Sequence, residues 1–349
     1  MNNYSYLDKI LHRQFLGSNP LSYFLHKKFY LKNNKYDLAH KNEHVFVTGL
    51  ARSGTTALLN KIFSSEEIPS LTYKQMPFIL SPYISNLLVK FLKDKKNKSI
   101  DRYHNDGIKI DINSPECLDE PFWIKSFGNY VNKNFISLKK IPKETLSAYS
   151  QFLHEHAAYQ NSNRILIKNN NNHLRLISLS KYFCNSKFFV MIREPLSQAK
   201  SLLNQHKNFI NIQKNDPFVL EYMNTIGHYE FGLNSKAFIY NFEESRWDED
   251  CDKSLIDYWL TQWIKTYEWI LKSNLLDKSN IFSIVYEELC KDKLIYKKIC
   301  DLIKVKNFEA GNDFICSNKT FNENVLHINK SKLDYSREIY QEIKKKSLS

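Results

Sequence analysis

Apolar residues along this chain gather in short β-rich runs, each followed by a stretch with helical spacing. Four such runs stand out: His44–Thr48, Ile165–Lys168, Phe188–Ile192 and Ile281–Tyr286. Strands alternating with helices predict an α/β fold, a mostly parallel sheet covered by helices on both faces. "PSLTY" (Pro69–Tyr73) is a further candidate strand. Between Lys93 and Tyr149 the pattern loosens into polar, Asn-, Asp- and Gly-rich connections. An insertion of that length in an α/β domain predicts a substrate loop. In "LIDYWLTQWIKTYEWIL", Trp259, Trp263, Thr266 and Ile270 share one helical stripe, which reads as a core face and not as a ligand platform. Residues 1–43 read as short helical pieces, and the terminal "EIKKKSLS" as a fraying helix end. The expected layout is a helical extension over 1–43, one large α/β domain over 44–305 with an insertion at about 74–160, and a C-terminal segment over 306–349.

Composition alters this picture little. The 349 residues are 42% hydrophobic and 25% charged, ordinary for a soluble chain that buries a full core. Charge matters more, since 50 Lys and Arg against 37 Asp and Glu leave +13. That excess implies anionic partners such as nucleotides, acidic sugars or a membrane surface, unless it reflects only biased coding in a Lys- and Asn-heavy chain. No long Lys/Arg block with interleaved aromatics occurs, so a nucleic-acid groove is not expected. The six cysteines are scattered without a C-x-x-C pair, which favours thiols in a reducing compartment over a disulfide frame or a zinc site. His154 and His156 are two apart and diverge on a helix, so no metal role is expected of them. "FILSPYISNLLVKFL" (Phe78–Leu92) is the most apolar stretch; Pro82 interrupts it, and it is too short to span a bilayer. It is expected to cap the core or a substrate cleft. "MNNYSYLDK" lacks the apolar segment of a signal peptide. The expectation is a soluble, cytoplasmic protein with no transmembrane segment, while the positive charge leaves peripheral membrane contact open.

The first run leads into "GLARSGTT". Gly49 and Gly54 permit a tight turn, and the helix that follows turns its N–H groups toward an anion. Ser53, Thr55 and Thr56 add hydroxyl donors, and Arg52 adds a cation. A nucleoside-triphosphate site would want Lys at position 55 and a strand-end Asp to help hold Mg²⁺. Here position 55 is Thr, and the strand Phe188–Ile192 ends in Arg193, which repels a divalent metal but suits a phosphate. In "REPLSQAKS", Pro195 opens a helix that carries Ser201 back toward the same anion as Arg193. Together the two segments imply two phosphate grips on one ligand and no metal.

These segments resemble the sulfotransferase family, whose donor is 3′-phosphoadenosine-5′-phosphosulfate (PAPS). In that family a loop of the [K/R]-S-G-T-T kind grips the 5′-phosphosulfate, and a strand-end Arg with a later Ser grips the 3′-phosphate. The similarity runs through "RILIKNNNNHLRLISLSKYFCNSKFFVMIREP" and "IFSIVYEEL", and covers roughly residues 44–305. "LTYKQMPFILSP", "YHNDGI" and "SPECLDEPFW" look like a bacterial subgroup of the family. The resemblance implies a P-loop-type sheet and transfer of a sulfuryl group to a hydroxyl or amine, with a carbohydrate or glycolipid as a plausible acceptor. Cofactor-binding residues would be Arg52, Ser53, Gly54, Thr55, Thr56, Arg193 and Ser201, and Arg52 and Lys168 would supply charge at the leaving oxygen.

The chain also departs from the family. Cytosolic members carry Lys where Arg52 stands, and a base in a Lys-Thr-His run where this chain has Lys168-Asn169-Asn170. Asparagine takes no proton, so the base is expected from "DRYHNDGIKIDINSPECLDEPFW". There His104, oriented by Asp106, is the first choice, with Glu116 and Glu120 as rivals. The basic loop that closes over the adenosine has only "HINKSKLDYSR" as a candidate. Two competing readings are a kinase-like phosphoryl transferase and a non-catalytic nucleotide-binding module.

Overall fold

In the computed structural model the described residues are 6–16, 24, 42–91, 100–101, 109–240, 252–306, 314–315 and 328–349. The central sheet has four parallel strands, β1 (Val45–Thr48), β2 (Leu166–Lys168), β3 (Lys187–Ile192) and β4 (Ile281–Val285), in the spatial order β2-β1-β3-β4. Each lies within a residue of a run that the hydrophobic pattern predicts.

The near-continuous apolar character of the strands follows from burial on both faces. Phe46, Ile167, Phe188, Val190 and Ile192 enter one core, and Val45, Val47, Leu166, Phe189 and Met191 enter the other. The second core is closed by α1 (Thr55–Phe63) and α5 (Lys293–Ile303). The first is closed by α2 (Lys143–Ala158), α3 (Pro195–Asn215), α4 (Ile256–Lys272) and α6 (Lys330–Lys346). On α4 the stripe Trp259, Trp263, Thr266 and Ile270 is buried, as its spacing requires. Each such large apolar side chain stabilises the fold by about 1.5–3 kcal/mol.

Register fixes where chemistry can sit. Val47 lies opposite Lys168, Thr48 opposite Val190, and Ile192 opposite Val285. All four strands therefore end at one edge, with β1 flanked by both of its successors. In open α/β sheets the crevice beyond the carboxyl ends is where ligands bind.

Several expectations are corrected. "PSLTY" forms no strand; Ser70 and Thr72 make only isolated bridges, to Leu166 and Pro115. Within its described residues the expected loose insertion is packed, because "CLDEPFW" buries Cys117, Leu118, Phe122 and Trp123 and starts a helix at Glu120. Pro82 does not interrupt a segment but opens the helix Pro82–Phe91. The C-terminal end does not fray: Leu348 N donates to the Ser283 carbonyl at 2.9 Å, and Ile343 is fully buried. Lys330–Arg337 of "HINKSKLDYSR" is no loop but the first half of α6, capped by the Asn329 side chain, which accepts from Lys332 N.

Candidate functional site

The loop between β1 and α1 is shaped by its glycines. Gly49 has φ 137°, and a Cβ there would lie 2.4 Å from the Met191 carbonyl oxygen, so the loop crosses β3 with no room for a side chain. Gly54 has φ 98°, and its Cβ would strike the Tyr286 ring at 2.3 Å. Arg52 adopts φ 69°, a left-handed conformation that is costly for any residue with a Cβ and is retained here at the turn. No side chain caps the N-terminus of α1. Its first N–H groups thus face the carboxyl edge of the sheet without intrahelical partners, a geometry and dipole suited to an anion. Ser53 is fully buried, and Thr55 Oγ1 donates to Asn170 Oδ1 at 3.2 Å, while Thr56 is partly exposed on the first turn.

The second predicted segment meets the first directly. Arg193 Nη1 donates to the Arg52 carbonyl at 3.2 Å, and Arg52 Nε donates to Ser201 Oγ at 3.1 Å. Arg52, Arg193 and Ser201, far apart in sequence, occupy one corner. Arg193 Nε is buried with no hydrogen-bond partner among the described residues, and the guanidinium lies 5.9 Å from the centre of the Tyr286 ring. Gln198, one turn into α3, donates to the Leu50 and Ala51 carbonyls at 3.3 and 3.0 Å and clamps the loop from outside. Trp263 Nε1 in turn donates to Gln198 Oε1 and to the Arg193 carbonyl. The α3 N-terminus is closed separately by Glu194, whose carboxylate accepts from Leu196 N and Ser197 N.

On the other side of β1, Lys168 ends β2. Its Nζ donates to Glu116 Oε1 at 2.9 Å, and both residues are buried. Burial opposes the Lys168 charge, but Glu116, and more weakly Cys117 and Glu230, outweigh it and hold the pKa above the ordinary value. The Asn-rich turn that follows is polar yet buried, and its contacts explain why. Asn169 Nδ2 donates to Asp119 Oδ1 at 3.0 Å and to Glu120 Oε2 at 2.7 Å. Asn170 Nδ2 donates to Glu230 Oε1 at 2.9 Å, and Asn171 Nδ2 to the Gly227 carbonyl at 3.3 Å.

Glu120 is fully buried in a two-pronged pair with Arg175 at 2.6 and 2.8 Å and also accepts from Tyr130. Burial alone would raise its pKa, but the Arg175 charge and these hydrogen bonds hold the carboxyl below its ordinary value. Arg175 is itself sandwiched against Trp123 and Tyr130. Asp119 is pushed up to about 6 by burial and by the neighbouring Glu120, against the Tyr149 hydrogen bond.

Of the residues expected at the site, Arg52, Ser53, Gly54, Thr55, Thr56, Lys168, Glu116, Arg193 and Ser201 gather at the carboxyl edge. Glu120 sits deeper, filled by Arg175. His104 and Asp106 lie outside the described residues. Sequence reading missed Gln198, Tyr286 and the segment Gly227–Glu230. Gln198 and Tyr286 stood inside motifs already quoted, but the contacts that give them meaning are long-range. Gly227 has φ 70°, and its Cβ would meet Glu120 Cγ at 2.2 Å, so this glycine lets the segment close onto the Asn-rich turn. His156, by contrast, is a core residue with Nε2 2.9 Å from the Ile79 carbonyl.

The model of the sulfotransferase domain matches residues 42–333. The chain belongs to the sulfotransferase family. No curated protein sequence matches it. Among solved structures, sulfotransferase STF1 from Mycobacterium tuberculosis H37Rv is similar at TM-score 0.44 and 12% identity, covering 99% of this chain and 82% of that one. Sulfotransferase STF9 from Mycobacterium avium is similar at TM-score 0.43 and 12% identity, covering 95% of this chain and 75% of that one. Among the described residues no helix is long and apolar enough to cross a membrane.

Proposed function

We propose that the sulfuryl donor of this sulfotransferase is PAPS and that the acceptor is a hydroxyl or amine, with carbohydrate or glycolipid as the leading class. The observation that carries the donor assignment is the meeting of Arg52, Arg193 and Ser201 beside the uncapped α1. A buried guanidinium nitrogen without a partner is costly unless a ligand satisfies it, and a phosphate does so. The donor fits the residues present: α1 and the Ser53–Thr56 hydroxyls would receive the phosphosulfate, and Arg193 and Ser201 the 3′-phosphate. When bound, the donor supplies an activated sulfuryl group. The chain supplies position and fixed positive charge, Arg52 and Lys168 lying where the leaving oxygen would become anionic. A cytoplasmic setting suits the buried thiols Cys117 and Cys300.

3′-Phosphoadenosine 5′-phosphate (PAP), the product left by the donor, is expected to raise Tm in EDTA, by mass action on the native state. ATP with Mg²⁺ should raise it much less. Equal or stronger stabilisation by ATP–Mg²⁺ would overturn the donor assignment in favour of phosphoryl transfer. An acceptor screen with labelled PAPS, read by mass gain, then identifies the acceptor class.

A further inference from the structure

Among the described residues, four carboxylates surround Lys168 and the Asn-rich turn after β2, and three are filled by the protein. Asp119 accepts from Tyr149, Trp123 and Asn169. Glu120 accepts from Arg175, Asn169 and Tyr130. Glu116 Oε1 accepts from Lys168 Nζ and from Cys117 N at 2.9 Å each. Glu230 differs. It is 7% exposed, its Oε1 accepts from Asn170, and its Oε2 is buried with no hydrogen bond from the described residues.

The position of Glu230 is built. Asn170 ties it to Thr55, the first residue of α1, through hydrogen bonds of 2.9 and 3.2 Å. Thr48, the last residue of β1, donates to the Asn170 carbonyl at 3.3 Å. Gly227, three residues upstream, is pinned by Asn171 and pressed against Glu120. His228 Nε2 lies 3.3 Å from the Cys117 carbonyl, next to Glu116. The carboxylate is thus held two hydrogen bonds from the helix end where the donor's anion belongs. Its charge is also felt at Lys168. A buried carboxylate oxygen left unsatisfied bears its full desolvation cost, which is retained where a ligand's donor group completes it.

We propose that Glu230 is the general base of the reaction, its Oε2 accepting the proton of the attacking acceptor; this rests on the donor assignment above. The acceptor oxygen forms a bond to sulfur as the bond from sulfur to the 5′-phosphate oxygen breaks. That electron pair leaves with the phosphate to give PAP, and the acceptor proton passes to Glu230 Oε2. Asn170 holds the base but takes no proton, and Glu116 keeps Lys168 charged and in place.

The experiment uses water as the acceptor, with PAPS labelled in its sulfuryl group, and reads release of labelled sulfate. The wild type should release it faster than PAPS alone in buffer. Glu230→Gln should lower that rate by about 10²–10⁴, the usual contribution of a positioned base, with the Kd for PAP changed less than threefold. In Glu230→Ala, added formate should restore part of the rate, which a merely structural glutamate would not allow. A near-normal rate in Glu230→Gln, loss of PAP binding together with the rate, absence of formate rescue, or a wild-type rate no faster than buffer would each overturn the assignment. So would loss of the rate in His104→Ala with Glu230→Gln intact, which returns the base to the histidine. Failure of PAP to bind the wild type is a separate result and removes the donor assignment itself.

Discussion

Arg193 links two tasks at one residue. Its Nη1 supports the turn by donating to the Arg52 carbonyl, while its Nε is buried and unsatisfied within the described chain. A side chain that merely braced the loop would have no reason to keep a second donor unpaired. Arg193→Ala is therefore expected to weaken PAP far more than adenosine 5′-phosphosulfate, which lacks the 3′-phosphate. Loss of one charge-assisted pair costs about 2–3 kcal/mol, or about thirty- to hundredfold in Kd. Calorimetric titration of both nucleotides separates the outcomes: equal weakening would mean that the residue acts through the loop alone. Arg175 makes the contrasting case. It carries the same charge and is more deeply buried, but Glu120 and two aromatic rings occupy its planar group. Charge type alone did not separate the two arginines; their partners do.

The β1–α1 turn is the element on which the proposed donor site depends, and its two glycines are not equivalent. A Cβ at Gly49 would meet a backbone carbonyl at 2.4 Å, which cannot move without distorting β3. At Gly54 it would meet the Tyr286 ring at 2.3 Å, and a ring can swing aside. Both substitutions also strain a left-handed backbone, by about 1–3 kcal/mol. Gly49→Ala should accordingly lose clearly more stability than Gly54→Ala, while Gly54→Ala should lose PAP affinity with a smaller fall in urea midpoint. Equal midpoints for the two variants would contradict this reading. The turn was legible in the sequence because local geometry dictates its residue types. The same holds for the four strands and the α4 stripe, where one period of apolar residues encodes one face. The ordered stretch from Ser114 to Tyr130 was not legible. Its polar letters read as solvated loop, yet Asp119, Glu120, Asn169 and Arg175 satisfy one another across about fifty residues of sequence. Glu230 was hidden for the same reason: its role depends on Asn170 in a different segment.

At the scale of the whole molecule, buried histidines set how acid acts on the fold. His44 and His173 are held down to about 3 and His156 to about 4, in each case mainly by burial, with Arg175 adding repulsion at His173. Their unfolded value is near 6.5. Above that pH neither state binds the proton, and the histidines leave stability unchanged. Below it the unfolded chain takes up protons that the native state refuses, so each histidine removes about 1.4 kcal/mol per pH unit until its native pKa is reached. Asp119 acts with the opposite sign, because its pKa is raised to about 6 and the native state gains a proton first. His206, held down to about 4 mainly by burial, is a fourth such histidine, and Glu155, raised by burial, acts in the same sense as Asp119, so between about pH 6 and 4 the histidines outweigh the carboxyls by about 3–4 kcal/mol per pH unit. Against a typical total of about 5–15 kcal/mol, that is enough to unfold the domain within a few pH units. Urea midpoints should stay level from pH 7.5 to 6.5 and fall steeply below it. His156→Gln, which keeps a donor for the Ile79 carbonyl, should flatten the fall by about a quarter of the histidine contribution. A midpoint that holds steady from pH 6.5 to 5 would mean that these histidines accept protons without unfolding the chain.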